Sequence, residues 1–314
     1  MSFLSTAVQT TLDQGRFCVV GTLTPSGPHC TPLVYASSAA RLWLTTSRRS
    51  VKARAWRTDP SMAGLVRDED LSVIFTGTVH TYDALDRRTW AAAVAGATSI
   101  ARATATFSAK NARFFAGYAV DARQVPLAWT PPGRVFVGVD LERTALADDQ
   151  GVQEGRGRWG GEAGSHAAFR RARGVDAMQH LPEEVAKGVG REGHGALAIV
   201  GDRGLVVLPV TWRAEDTALY AALPTETLAL AGAGPDAPVA LMVDRASVWR
   251  ARDMVGAMFQ GEAALFVDGA VGSGATSLRK IAAGMSPAAT AVVRITPRRA
   301  VWWRGWTSGS ADVP

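Results

Sequence analysis

The chain has 314 residues and a mass of 33.1 kDa, with 47% hydrophobic and 20% charged residues, a balance that excludes wholesale disorder and suits two cores of ordinary size. A net charge of +6 comes from 34 Lys and Arg against 28 acids and favours anionic ligands; the arginines are scattered, with no zinc-finger or basic-zipper pattern, so no nucleic-acid partner is expected. Only Cys18 and Cys30 are present, too few for a disulfide framework, and no uncharged apolar window has the length of a membrane span or leader, so a cytoplasmic setting without membrane contact is expected.

In chain order, the pattern opens with a helix over Leu4–Asp13. A strand follows, then a Gly-containing turn at Thr24–Gly27, and a second strand interrupted near Pro32. A short polar loop leads to a third strand ending near Thr45. A further strand is expected over Leu71–Tyr82. The Ala-rich stretch Leu85–Val125 has helical composition over Asp86–Ala103 and Lys110–Val120, with Trp90, Phe114, Phe115 and Tyr118 available to cover a barrel face. A closing strand runs over Val135–Leu146. The Gly- and charge-rich stretch Asp148–Gly174 reads as connector, and a helix over Pro182–Val189 opens the second half.

The same order then repeats. Gly27–Leu42 can be set over Gly204–Leu219 at a constant offset, which places Gly27 on Gly204, Pro32 on Pro209 and Leu42 on Leu219. The strand over Val255–Val267 answers Leu71–Tyr82, with Gly261 answering Gly77. Val135–Leu146 and Ala291–Trp302 correspond, Arg143 falling on Arg299. The organisation read from this is 1–147, a first unit; 148–178, a connector; and 179–314, a second unit.

After the third strand of the first copy stands Thr45-Thr46-Ser47-Arg48-Arg49-Ser50-Val51-Lys52, followed downstream by Asp59-Pro60. A strand ending in hydroxyls and turning through a basic loop into a helix start suits a phosphate, because hydroxyl, backbone N–H and ammonium or guanidinium donors converge there. In this spacing of Thr46, Ser47, Ser50, Lys52, Asp59 and Pro60 the chain resembles the pyridoxamine-phosphate-oxidase-like, FMN-binding split-barrel family, which includes deazaflavin-dependent reductases and haem-degrading relatives. The resemblance implies a mainly β fold with peripheral helices, here two tandem split β-barrels forming an intramolecular pseudo-dimer. It also implies that Thr46 and Ser50 donate to a flavin phosphate that Lys52 neutralises, with Ser47, Arg48 and Arg49 beside them.

Two positions depart from the family. Val51 stands where an Arg is frequent, and the second strand offers Thr31-Pro32-Leu33-Val34 where an oxidase supplies an Arg, so Arg48, Arg49 or Arg54 would have to compensate. The loop of the second copy, Leu223-Pro224-Thr225-Glu226-Thr227, has no Lys or Arg, and Glu226 would repel a phosphate. One working site is therefore expected, walled by the second copy. Candidates for that wall are Trp249, Arg250, Met258 and Gln260, with Trp302, Trp303, Arg304 and Trp306 at the C-terminal end.

The five histidines, His29, His80, His166, His180 and His194, have no metal-ligand spacing, so no metal site is expected. Gly155, Gly157 and Gly160 form a GxGxxG without a preceding apolar strand and read as loop. The expected function is a flavin-dependent oxidoreductase acting by hydride transfer on a small molecule, with FMN as cofactor and deazaflavin F420 or haem as alternatives. No catalytic side chain can be named. The reading from another class is a non-catalytic carrier or sensor of flavin or haem, or a haem-degrading relative. A monomeric pseudo-dimer or a homodimer fits either.

Overall fold

The computed structural model describes residues 4–38, 40–121, 123, 125–126, 133–161, 175–215, 218–245, 250–267 and 275–314, side chains over 275–279 excepted. In the first half, α1 (Thr6–Gln14) is capped by Ser5, whose hydroxyl accepts from Val8 N–H at 3.2 Å. It precedes β1 (Phe17–Thr24), β2 (Gly27–Ser38) and β3 (Arg41–Ser47). After the one-turn helix α2 (Val51–Ala55) come β4 (Ser61–Asp68), β5 (Leu71–Tyr82), the helices α3 (Trp90–Ala95), α4 (Ala97–Lys110) and α5 (Ala112–Val120), then β6 (Arg134–Ala147) and β7 (Val152–Arg156).

The second half repeats this plan. It comprises α6 (Glu183–Val189), β8 (Glu192–Gly201), β9 (Gly204–Glu215), β10 (Ala218–Leu223), α7 (Thr225–Ala229), β11 (Ala237–Arg245), β12 (Val255–Val267), α8 (Ala275–Met285), β13 (Ala291–Arg304) and β14 (Thr307–Asp312). Each half is a 7-stranded antiparallel sheet, in the orders β3-β2-β1-β4-β5-β6-β7 and β10-β9-β8-β11-β12-β13-β14. Pairing of β3 with β6, and of β10 with β13, closes each into a barrel with one strand appended.

The duplication extends to local geometry. Gly27 and Gly204 both start the second strand of their barrel with positive φ (100° and 93°), a conformation the β1–β2 and β8–β9 turns require and glycine adopts without strain. The pairing of β5 with β6 shifts register between Thr76 and Gly77, and that of β12 with β13 between Gln260 and Gly261. At both bulges the neighbouring strand comes too close for a side chain: a Cβ on Gly77 would lie 2.2 Å from the Asp140 carbonyl oxygen, and one on Gly261 2.0 Å from that of Thr296.

The appended strands β7 and β14 went unread in the sequence, as did, one in each copy, β4 and β11. β4 and β11 are buried along most of their length on both faces, so the polar–apolar alternation that marks a half-exposed strand is missing. The stretch expected to be connector contributes β7, which pairs with the end of β6. Beyond it Gly160 N–H donates to Leu230 O at 3.0 Å and Trp159 packs on the second core, so the GxGxxG run holds strand and barrel contact. Of the aromatics expected to cover the first barrel, Phe114 is buried with Phe107 against Val34 and Ala36, while Trp90 and Phe115 remain 48% and 39% exposed.

The barrels are not separate globules. Cys30, Ala63, Leu65, Ile74, Ala145 and Ala147 of the first belong to the same buried cluster as the core of the second. The packing is reciprocal, β2 lying on β11 and β9 on β4, as a pseudo-twofold axis requires. Cys30 Sγ donates to Ala240 O at 3.6 Å, and Gln260 Nε2 to Pro28 O at 2.6 Å, so buried polar groups are satisfied across the seam. Among the described residues no helix is long and apolar enough to cross a membrane.

Candidate functional site

The end of β3, the turn and α2 form a compact hydroxyl-and-cation cluster. Ser50 is the N-cap of α2: its Oγ accepts from Ala53 N–H at 3.1 Å and from Thr46 Oγ1 at 3.1 Å. Both acceptor positions are thus used, which leaves the Ser50 O–H proton to donate elsewhere. Thr46 is buried at 2% exposure, and Ser47 Oγ accepts from Arg49 N–H at 3.3 Å, which shapes the turn. Asp59 caps the way out, accepting from Ser61 N–H at 2.9 Å as β4 begins.

Lys52 points inward. Its side chain is buried, and Thr31 on β2 is the hydrogen-bond partner of its ammonium among the described residues. Burial lowers its pKa to about 8, helped by the nearby positive charge of Arg134 and opposed by the Cys30 thiol, and among the described residues no carboxylate acts on it. His29, two residues before Thr31 on β2, is held neutral with a pKa lowered to about 3 by burial, then by Lys52, then by Arg299 of the second barrel. A buried ammonium near the Arg134 guanidinium and bonded to the Thr31 hydroxyl, with no acid among these groups, is a place where an anion lowers the free energy.

The remaining cations of the turn have different fates. Arg48 makes a bidentate pair with Asp83 at 2.5 and 2.6 Å, which holds the Asp83 carboxyl below its usual range. Arg49 is exposed at the rim. Arg134 on β6 donates to Thr45, through Nε to Oγ1 at 2.9 Å and through Nη2 to the carbonyl at 2.7 Å, tying β6 to the strand end that carries Thr46.

The structure therefore brings Thr46, Ser47, Arg48, Arg49, Ser50 and Lys52 together and adds Thr31, His29, Arg134 and Arg299 to them. Gln260 lies on the adjoining seam with its amide given to Pro28 O. Trp303 does not join: it pairs with Gly256 and packs, with Trp302, on the second core, while Arg304 pairs with Glu184 on α6. Trp306 reaches the first barrel and meets Tyr118 edge-on at 5.3 Å. Trp249 lies outside the described residues. In the second copy, α7 has Pro224 at its N-cap and no side-chain cap bond, and the Glu226 carboxylate faces Gly151 of the β6–β7 turn.

No protein-family model and no curated protein matches the chain. Solved structures do. A pyridoxamine 5'-phosphate oxidase-related, FMN-binding protein from Nostoc punctiforme aligns at 16% identity over 48% of this chain and 88% of its own, with a TM-score of 0.35. A FAD-binding protein from Mesorhizobium loti aligns at 18% identity over 46% and 94%, TM-score 0.31, and an F420 reductase at 18% over 46% and 98%, TM-score 0.30. By its own strand order and closure, the chain is a tandem split barrel. Among the described residues, the hydroxyl-and-cation turn belongs to the leading split barrel, which carries α3–α5 between its fifth and sixth strands where the trailing one carries α8.

Proposed function

We propose that the leading split barrel holds a flavin-type cofactor, FMN first and deazaflavin F420 second, by its phosphate at the turn between β3 and α2, and that the chain is an oxidoreductase acting on a small molecule. One observation carries this reading: Lys52 is a buried cation with the Thr31 hydroxyl as its partner and the Arg134 guanidinium and Cys30 thiol as neighbours, an arrangement that a phosphate completes. The donor set fits the group. Ser50 supplies a hydroxyl proton, which the bond from Thr46 Oγ1 helps to orient, Lys52 and Arg134 supply charge, and Arg49 closes the rim. A bound flavin would supply hydride or electron transfer, chemistry that belongs to the cofactor and needs no side-chain acid.

The chain's own contribution is to hold the phosphate, to place Arg299 of the trailing barrel beside the site, and to shield it with the seam between barrels. One chain then supplies both walls, so a monomer suffices. Incubating the purified protein with FMN, F420 and haem in turn, removing free ligand and recording the visible spectrum tests the reading. Retained flavin bands, with bleaching on addition of a nicotinamide reductant, are expected; a Soret band alone, or no retained colour, overturns it.

A further inference from the structure

A cavity of about 560 Å³ opens between the C-terminal end of α1, the start of β1 and the turn joining α4 to α5. Its volume falls within the range of small-molecule sites, roughly 300–1,000 Å³. Arg16, Lys110 and Arg113 line it against a single carboxylate, Asp13, while Phe17, Val34 and Phe114 give it an apolar wall. Asp13 accepts from Gln9 Nε2 at 2.9 Å, whereas Arg16 and Arg113 have no ion-pair or hydrogen-bond partner among the described residues.

The wall is pre-shaped. Lys110 lies with its ammonium 4.0 Å from the centre of the Tyr35 ring and donates to Leu12 O at 3.0 Å, which leaves N–H donors over. Asn111 is buried and donates to both Tyr35 O, at 3.1 Å, and Phe107 O, at 2.9 Å, so the α4–α5 turn is pinned to β2. These helices are the segment by which the first copy exceeds the second. We propose that this cavity is a binding site for a small organic anion, a carboxylate or phosphate carried on an apolar body, distinct from the turn that holds Lys52.

The site is independent of the flavin reading, and the test separates the two. Benzoate is titrated calorimetrically into the full-length protein, the Arg16→Ala/Arg113→Ala double variant and Lys52→Ala. Arg16 and Arg113 are exposed, so the double variant keeps the fold, which circular dichroism checks. Expected are saturable 1:1 binding with a dissociation constant below about 1 mM, weakening of about tenfold or more in the double variant, no change in Lys52→Ala, and no binding of benzyl alcohol or benzylamine. Lack of saturable binding, equal affinity in the double variant, loss confined to Lys52→Ala, or benzylamine binding as well as benzoate each overturns the proposal. FMN affinity should be the same in the double variant as in the parent, so a failure of flavin binding leaves this site standing and the reverse also holds.

Discussion

At the residue scale the decisive group is Lys52. Its pKa in the folded chain, about 8, lies below the ordinary lysine value of 10.5, so from about pH 8 upward to that value the unfolded chain holds the extra proton. The contribution of Lys52 to the stability of the ligand-free protein should therefore rise with pH across that window, readable as the difference between denaturant titrations of the parent and of Lys52→Met at about pH 7 and about pH 9.5. Phosphate binding needs the ammonium and should go the other way: FMN affinity falls as pH rises through about 8, and an affinity indifferent to pH there would remove Lys52 from the site. Thr46 to Lys52 were legible in sequence because they are contiguous and their spacing is a pattern. Thr31, His29, Arg134 and Arg299 were not, because β2, β6 and β13 meet the turn only after barrel closure and burial across the seam.

At the element scale the two copies share the bulge that lets the fifth strand cross the sixth. Gly77→Ala would push a methyl group to 2.2 Å from a backbone oxygen, with no flexible side chain to give way. The substitution should destabilise the chain by about 1 to 3 kcal/mol, readable as a lower denaturant midpoint at an unchanged slope. An unperturbed midpoint would mean that the bulge relaxes freely. β5 and β12 were readable to their ends from β-branched and aromatic residues bounded by turns, with alternation of burial only past Gly77 and Gly261. β4 and β11 escaped because each is covered on one side by its own barrel and on the other by its partner's second strand, so burial erases the signal. β7 escaped for the opposite reason: Val152–Arg156 is short, polar and mostly exposed, an appended edge strand with little hydrophobic imprint.

At the scale of the whole molecule, the shared cluster running from Cys30 and Leu65 into the second core makes the two barrels one cooperative unit. Calorimetry should show a single transition with matching calorimetric and van't Hoff enthalpies, and residues 175–314 expressed alone should expose that cluster and aggregate. Two resolved transitions would instead describe barrels that merely touch. The same union explains the asymmetry of the duplication. Once one seam joins both barrels, a single hydroxyl-and-lysine turn can serve the pair, and Glu226 can occupy the matching place in the other copy.

The most direct test is a calorimetric titration of FMN into the parent protein, Lys52→Ala and Glu226→Gln. One FMN per chain is expected, with affinity weakened by about 1 to 3 kcal/mol in Lys52→Ala and unchanged in Glu226→Gln. Two sites per chain, or equal affinity in all three proteins, would contradict a phosphate held by the leading barrel's turn.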